Sequence, residues 1–345
     1  RSLKDPVNLS IGQPHFPVPD PIKQAAKAAI DADHNGYTVT QGIAELRERL
    51  LADARARFPG QERDVIVTGG TSGGLVLALL AVVNPGDEVV TADPYFVAYP
   101  NMVALAGGKL VTVDTYPDFR LDLNRIESAI TPRTKAILLS SPSNPTGAVL
   151  DARTQKELAE LARRRAVLLV SDEIYRAFHY DAPAVSPATY DPGVLVMEGF
   201  GKTYGVTGWR LGWAHGPKRL IQEMAKLQQF TFVCAPSALQ WAGLAALDYD
   251  VSRIVADYRR KRDLLVAGLK DVYAFDTPGG AFYLFPKTPW GTGNEFVAAA
   301  IDRNLLVIPG NAFSARDTHF RVSYAASDET LNRGIAILRG LAQRA

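Results

Sequence analysis

Short apolar runs, each closed by turn residues, alternate with segments of helical period through the first two thirds of the chain. They predict strands at Val65 to Thr68, Glu88 to Ala92, Lys109 to Val113, Ala136 to Leu139, Val167 to Val170, Val194 to Met197 and Leu211 to Ala214. Between them, Ser72 to Val83, Val97 to Ala106 and Gln155 to Arg164 carry helical patterns. Apolar-rich strands separated by helices predict an α/β fold, a doubly wound and mostly parallel sheet with helices on both faces. Past Trp241 the pattern changes to a long helix through Ile254 to Leu269, short strands near Phe282 to Phe285 and Phe320 to Tyr324, and a helix near Glu329 to Gln343. That is a smaller α+β unit. The helix Pro21 to Asp33 follows the Pro-rich IGQPHFPVPDP, has no strand partner in sequence, and is expected to pack on this second unit. The expected division is a large domain over 36–235 and a small one from 1–35 plus 236–345.

The 345 residues suffice for two cores. Lys and Arg total 38 against 36 Asp and Glu, a net charge of +2 that gives no polyanion-binding surface, so no nucleic-acid partner is expected. The longest wholly apolar run, Leu75 to Val83, is far shorter than the roughly 20 residues of a membrane span. RSLKDPVNLS has charges and a proline where a signal peptide would be apolar, so no secretion signal is read there. Cys234 is the sole cysteine, which rules out an intrachain disulfide and fits a reducing, cytoplasmic setting. The five histidines are too scattered for a local metal motif, and no metal is expected.

The loop Val67-Thr68-Gly69-Gly70-Thr71-Ser72-Gly73-Gly74-Leu75 runs from a strand end into a helix, where backbone N–H groups and the helix dipole can hold a phosphate. It resembles the TGxxxGxG loop of short-chain dehydrogenases as far as Gly73, but Leu75 stands where their last glycine belongs. Their YxxxK motif has a formal match in Tyr283 to Lys287, yet Pro286 would break the helix that must carry both side chains. The nicotinamide reading fails on both counts.

Four further segments carry chemistry. Ser143-Asn144-Pro145-Thr146-Gly147 follows the strand KAILLS and sets an amide at a strand's carboxyl end, although NPTG is often only a turn. Asp172 and Glu173 end the apolar strand AVLLV; a buried carboxylate there needs a cationic partner, and an exposed loop acid is the bland alternative. Lys202 stands among Gly199, Gly201, Tyr204 and Gly205, where partial desolvation would free its amine for a Schiff base, unless it is a solvated surface lysine. Arg321 sits in the apolar FRVSY and needs an anion, which a structural ion pair would also supply.

Together these segments resemble the fold type I, class I/II aminotransferases of the aspartate aminotransferase kind. The likeness covers nearly the whole chain through IGQPHF, GYTVTQGIAELRERL, NPGDEV, DPYFVAY, SPSNPTG, SDEIY, GKTYGVTGWRLGW, PGGAFY and FRVSYA, in order. It implies pyridoxal 5'-phosphate as cofactor, with Lys202 as the Schiff-base lysine and proton carrier, and Asp172 on the pyridinium nitrogen. Asn144 and Tyr175 would bond the ring's 3-oxygen, and Phe96, or else Tyr95, would stack on the ring. Gly70, Thr71, Ser72 and Arg210 would hold the phosphate, joined by Tyr37 of the neighbouring subunit in a homodimer with shared active sites. Arg321 would grip the substrate α-carboxylate, with Gly12 and Asn144 beside it. Two departures stand out. Gly199 and Gly201 replace serines that many members place before the lysine, which implies one phosphate ligand fewer. No lysine stands at Ser72 to read a second carboxylate, which puts dicarboxylate specificity in question and makes a neutral or aromatic side chain, met by Phe16, Phe282 and Tyr283, an equal alternative.

The resemblance implies a transaminase moving an amino group between an amino acid and a 2-oxo acid in a ping-pong cycle. A lyase on the same scaffold, cleaving carbon–sulfur bonds or forming an aminocyclopropane carboxylate, shares these motifs. An aminotransferase-like effector domain of a transcription regulator would need a basic DNA-binding module for which 345 residues leave no room beside two domains.

Overall fold

The computed structural model describes residues 4–343. Seven strands form one sheet in the order Asp64–Thr68, Gly212–Gly216, Leu195–Gly199, Leu168–Asp172, Thr134–Ser140, Glu88–Asp93 and Lys109–Asp114. They match the seven expected from the apolar runs. All run parallel except Gly212–Gly216, which is antiparallel to both of its neighbours. The reversal has a consequence for the site. Six strands deliver their carboxyl ends to one sheet edge, and the seventh begins there, so the segment before Gly212 reaches that edge as well.

The runs that read as uniformly apolar divide by alternation. Val89, Leu138 and Val170 pack on one face with Leu75, Leu77 and Tyr99, whereas Val90, Ile137 and Leu169 pack on the other with Phe58, Leu158 and Leu161. The helix Gly70–Val82 is apolar all round because the sheet lies on one side and the helices Tyr99–Leu105 and Lys218–Thr231 lie on others. The helix Ala152–Arg164 starts where the Asp151 carboxylate accepts from Thr154 N–H at 2.7 Å. Beyond the sheet, Tyr283–Leu284, Phe320–Ser323 and Ile308–Pro309 form a small antiparallel sheet, and Val7–Asn8 pairs in parallel with Leu305–Leu306. The helices Ser252–Leu269, Gly293–Asp302 and Asp328–Ala342 share a core with these strands.

One expectation is corrected. The helix Asp20–Asp31 packs on Ser237–Leu247 and the large sheet, not on the second unit: Ile22 and Ala26 share a core with Val65, Val67, Phe200 and Trp213. Its stripe of Ile22, Ala26 and Ala29 is narrow and small, so it can approach another helix closely. Since Ser237–Leu247 packs with it, the packing argues for drawing the boundary after that helix rather than at 235, with 20–35 on the large side. The ends of the expected ranges, 1–3 and 344–345, lie outside the described residues. No helix among the described residues is long and apolar enough to cross a membrane.

Candidate active site

The sheet edge where the strands end is also where the predicted residues meet. A cavity of about 290 Å³ there is lined by Gly12, Gly70, Thr71, Ser72, Phe96, Asn144, Asp172, Tyr175, Lys202, Arg210 and Arg321, among others. Eleven of the twelve residues singled out for the site therefore converge. Tyr37 does not: its ring is 86% exposed on the surface of the chain. Phe96 lines the cavity and stands edge-on to Tyr99 at 5.5 Å, whereas its alternative Tyr95 does not line it. Of the aromatic residues considered for the substrate side chain, Tyr283 lines the cavity and Phe282 is sealed in the core.

Asp172 closes its strand with a carboxylate only 4% exposed. Instead of the cation expected for it, it has the Tyr99 hydroxyl at 2.9 Å and the Ile174 N–H at 3.3 Å. No ion pair to it exists among the described residues, and burial pushes its pKa up to about 6 against the pull of Tyr99, Ile174 and Lys202. Such an acid is built to face a cationic group that the protein itself does not provide.

Lys202 is in the short helix Phe200–Thr203 that follows the strand Leu195–Gly199. Its amine donates to the Gly12 carbonyl. Burial, with Arg321 and Arg210 nearby, holds its pKa down at about 8, and Asp172 opposes this. Gly199 is fixed by packing, since a Cβ there would stand 2.7 Å from Thr71 Oγ1 and 2.9 Å from Ile174 Cδ1. The serine absent from this position would not fit without a shift.

Arg321 lies between the Tyr283 and Phe313 rings, at 4.4 and 4.7 Å from their centroids. Its Nη1 donates to Asn144 Oδ1 at 2.8 Å and its Nη2 to the Ser10 carbonyl at 2.7 Å, while its buried Nε has no hydrogen-bond partner among the described residues. Neutral acceptors replace the anion expected from sequence, so the guanidinium keeps an uncompensated charge. Tyr175 and Tyr283 share a hydroxyl contact of 2.7 Å beside it. Across the cavity Gly70, at φ +74°, leaves room for Arg210, since a Cβ there would lie 2.7 Å from Nη2. Arg210 itself is held at φ +51° and donates to the Thr207 carbonyl at 3.0 Å.

The formal YxxxK match is dismantled: Tyr283 is in a strand, and Lys287 is exposed. Among the described residues no group of His, Cys, Asp and Glu could hold a metal ion. Sequence reasoning missed Tyr99, Ser10 and Phe313. Tyr99 closes the DPYFVAY motif and could have been suspected, whereas the Ser10 carbonyl and the Phe313 ring carry no local signal.

The family described as aminotransferase class I and II matches residues 4–338. The chain is 39% identical over 345 residues to the aspartate/prephenate aminotransferase of Thermus thermophilus, with 96% of this chain and 89% of that one covered. The solved aspartate aminotransferase of Thermus thermophilus with maleate superposes with a TM-score of 0.92 at 37% identity, covering 98% of this chain and 92% of that one. The aromatic aminotransferase of Pyrococcus horikoshii superposes with a TM-score of 0.94 at 33% identity, covering 100% and 97%.

Proposed function

The chain belongs to the class I and II aminotransferase family and is a pyridoxal 5'-phosphate-dependent aminotransferase; we propose that it takes the amino group from a neutral or aromatic L-amino acid and passes it to a 2-oxo acid in a ping-pong cycle. The observation that carries this choice is the number of cations in the cavity. Lys202, Arg210 and Arg321 line it, and no other lysine or arginine does among the described residues. Each has a task on one substrate or cofactor group, which leaves none for a second carboxylate.

The residues fit the cofactor. Among the described residues Asp172 is a buried acid without an ion-pair partner, and the Gly70 loop and Arg210 form a cradle that a Cβ would fill. The cofactor, when bound, supplies an aldehyde carbon for the amino group and a ring that withdraws electrons from the substrate α-carbon. In our reading Arg210, Thr71, Ser72 and the backbone at Gly70 hold the phosphate. Phe96 fixes the ring plane, and Asp172 holds a proton on the ring nitrogen. Asn144 and Tyr175 donate to the ring's 3-oxygen. Arg321 orients the α-carboxylate by two parallel hydrogen bonds, with Gly12 beside it. Lys202 Nζ then moves the proton at the α-carbon. Its depressed pKa suits that task, since a base near the working pH is neutral often enough to accept and still releases the proton.

A donor panel with pyruvate and 2-oxoglutarate as acceptors tests this, with half-reactions followed by absorbance. We expect phenylalanine, tyrosine, leucine or alanine to exceed aspartate by about tenfold or more in kcat/KM, the worth of one desolvated charge contact. The Arg321→Lys variant should raise KM for every donor that reacts. Aspartate leading the panel would overturn the substrate class, and release of pyruvate and ammonia without amino transfer would indicate a lyase.

The same proposal includes a cytoplasmic homodimer with shared sites. Tyr37, Val39, Phe230 and Phe232 are exposed apolar side chains on neighbouring segments, since Gln228 Nε2 donates to the Thr40 carbonyl at 2.6 Å. Such a patch calls for cover. If Tyr37 reaches the partner's phosphate, mixing Tyr37→Glu with Lys202→Ala under subunit exchange restores about a quarter of the activity, because half the dimers are mixed and each has one intact site. Exchange without recovery would place Tyr37 outside the site.

A further inference from the structure

The chain enters the site as a strap. Leu9 is sewn to the small unit, its N–H bonding the Leu306 carbonyl at 2.9 Å and its carbonyl accepting from Ser323 N–H at 2.8 Å. From there Ser10 gives its carbonyl to Arg321 and Gly12 gives its carbonyl to Lys202. The far end of the strap is clasped by His15 and Phe16. His15 N–H donates to the Tyr258 hydroxyl at 3.1 Å, His15 Nδ1 lies 3.1 Å from the same oxygen, and Phe16 meets the Tyr258 ring edge-on at 6.0 Å. On the other side of the imidazole, Nε2 lies 2.6 Å from Lys261 Nζ.

An ammonium only donates, so that last contact requires a lone pair on Nε2 and hence a neutral ring with its proton on Nδ1. Lys261 cannot step aside into water: it is 3% exposed, and it also donates to the Ala326 carbonyl at 2.5 Å. The remaining groups around the ring balance without it. Asp257 and Asp328 are both bound by Arg260, at 2.7 and 2.8 Å, and both stand within 4 Å of Lys261. Two cations face two carboxylates, and a protonated His15 would add an unmatched third cation against Lys261.

We propose that His15 is a positioning residue: its neutral imidazole fastens the strap to Tyr258 and Lys261, so that the Ser10 carbonyl holds Arg321, and the Gly12 backbone stays beside it, for the substrate carboxylate, and protonation of that ring loosens the strap. The inference rests on the role given above to Arg321 and Gly12. The His15 ring is exposed, so bulk pH reaches it directly. Its pKa lies below the ordinary imidazole value because burial of one side and Lys261 disfavour its charge, against the pull of Asp257 and Asp328. The loosened state therefore belongs to acid pH.

The test compares the holoenzyme with its His15→Asp variant, whose carboxylate would pair with Lys261 without titrating in the same range. As pH falls from about 7.5 to about 5, wild-type KM for the amino donor should rise about fivefold or more beyond any rise in the variant, with kcat changing in parallel in the two proteins. In wild type the amide-exchange protection of residues 10–17, corrected for intrinsic rates, should fall over the same range, and in His15→Asp it should stay level. Identical KM profiles in the two proteins would overturn the proposal. So would unchanged protection of the wild-type strap, which needs no variant to fold. Absence of amino transfer with every donor would instead overturn the functional reading, and the exchange result would stand apart from it.

Discussion

Lys202→Ala is expected to lower amino transfer by at least about four orders of magnitude, because the proposed mechanism gives one amine both the covalent and the proton-transfer task. The environment around Nζ is what fits it for both. With a pKa near 8, about a quarter of the amines are neutral at pH 7.5, against about 0.1% for an ordinary lysine. Burial is the largest cause of that shift, and Arg321 and Arg210 add to it. The variant should still take up cofactor, since Arg210, Thr71, Ser72 and Asp172 remain, but borohydride should no longer fix the cofactor to the chain. In wild type the reduced label should map to Lys202. Turnover within tenfold of wild type, or a label on another lysine, would contradict the assignment.

Much of this site was legible because it sits at strand ends, and strands are what apolar runs announce most clearly. Asp172, Asn144 and Lys202 each follow such a run by two to five residues, and once the runs lie in one parallel sheet their carboxyl ends must share an edge. Arg210 reached the same edge for a reason the pattern does not contain, namely the reversed direction of Gly212–Gly216. The rest depends on tertiary neighbours. Tyr99 reads as one more core aromatic on a short helix, and only the fold turns its hydroxyl toward Asp172. The helix Asp20–Asp31 has a small apolar stripe that would suit several faces, so sequence could not choose its partner. Arg321 was expected to find an anion within the protein; what surrounds it is two rings, an amide and a carbonyl.

Those failures share a direction. The buried acid lacks its cation and the buried guanidinium lacks its anion, both in one cavity with a lysine whose charge is disfavoured. Local rules of charge satisfaction fail where a ligand is meant to complete them.

Asp172→Asn separates the two sides of that compromise, and its effect on activity is expected to be large. An amide at this position keeps the shape and can still accept from the Tyr99 hydroxyl, but it cannot hold a proton on the cofactor's ring nitrogen. Amino transfer should drop by about three orders of magnitude or more, at 1.4 kcal/mol of barrier for each tenfold, while cofactor is retained. Stability of the cofactor-free protein should move the other way. The folded-state pKa of Asp172 is raised to about 6 from 3.8, so the unfolded chain ionises first. The resulting penalty is absent below the unfolded pKa, grows as pH rises through 4 to 6, and is constant above. Two pKa units correspond to about 3 kcal/mol, which Asp172→Asn should recover at neutral pH and lose again near pH 4. Urea unfolding of both cofactor-free proteins at the two pH values measures this directly. Near-normal turnover in the variant would remove Asp172 from the mechanism, and an equal stability difference at both pH values would mean that its carboxylate is not the strained group.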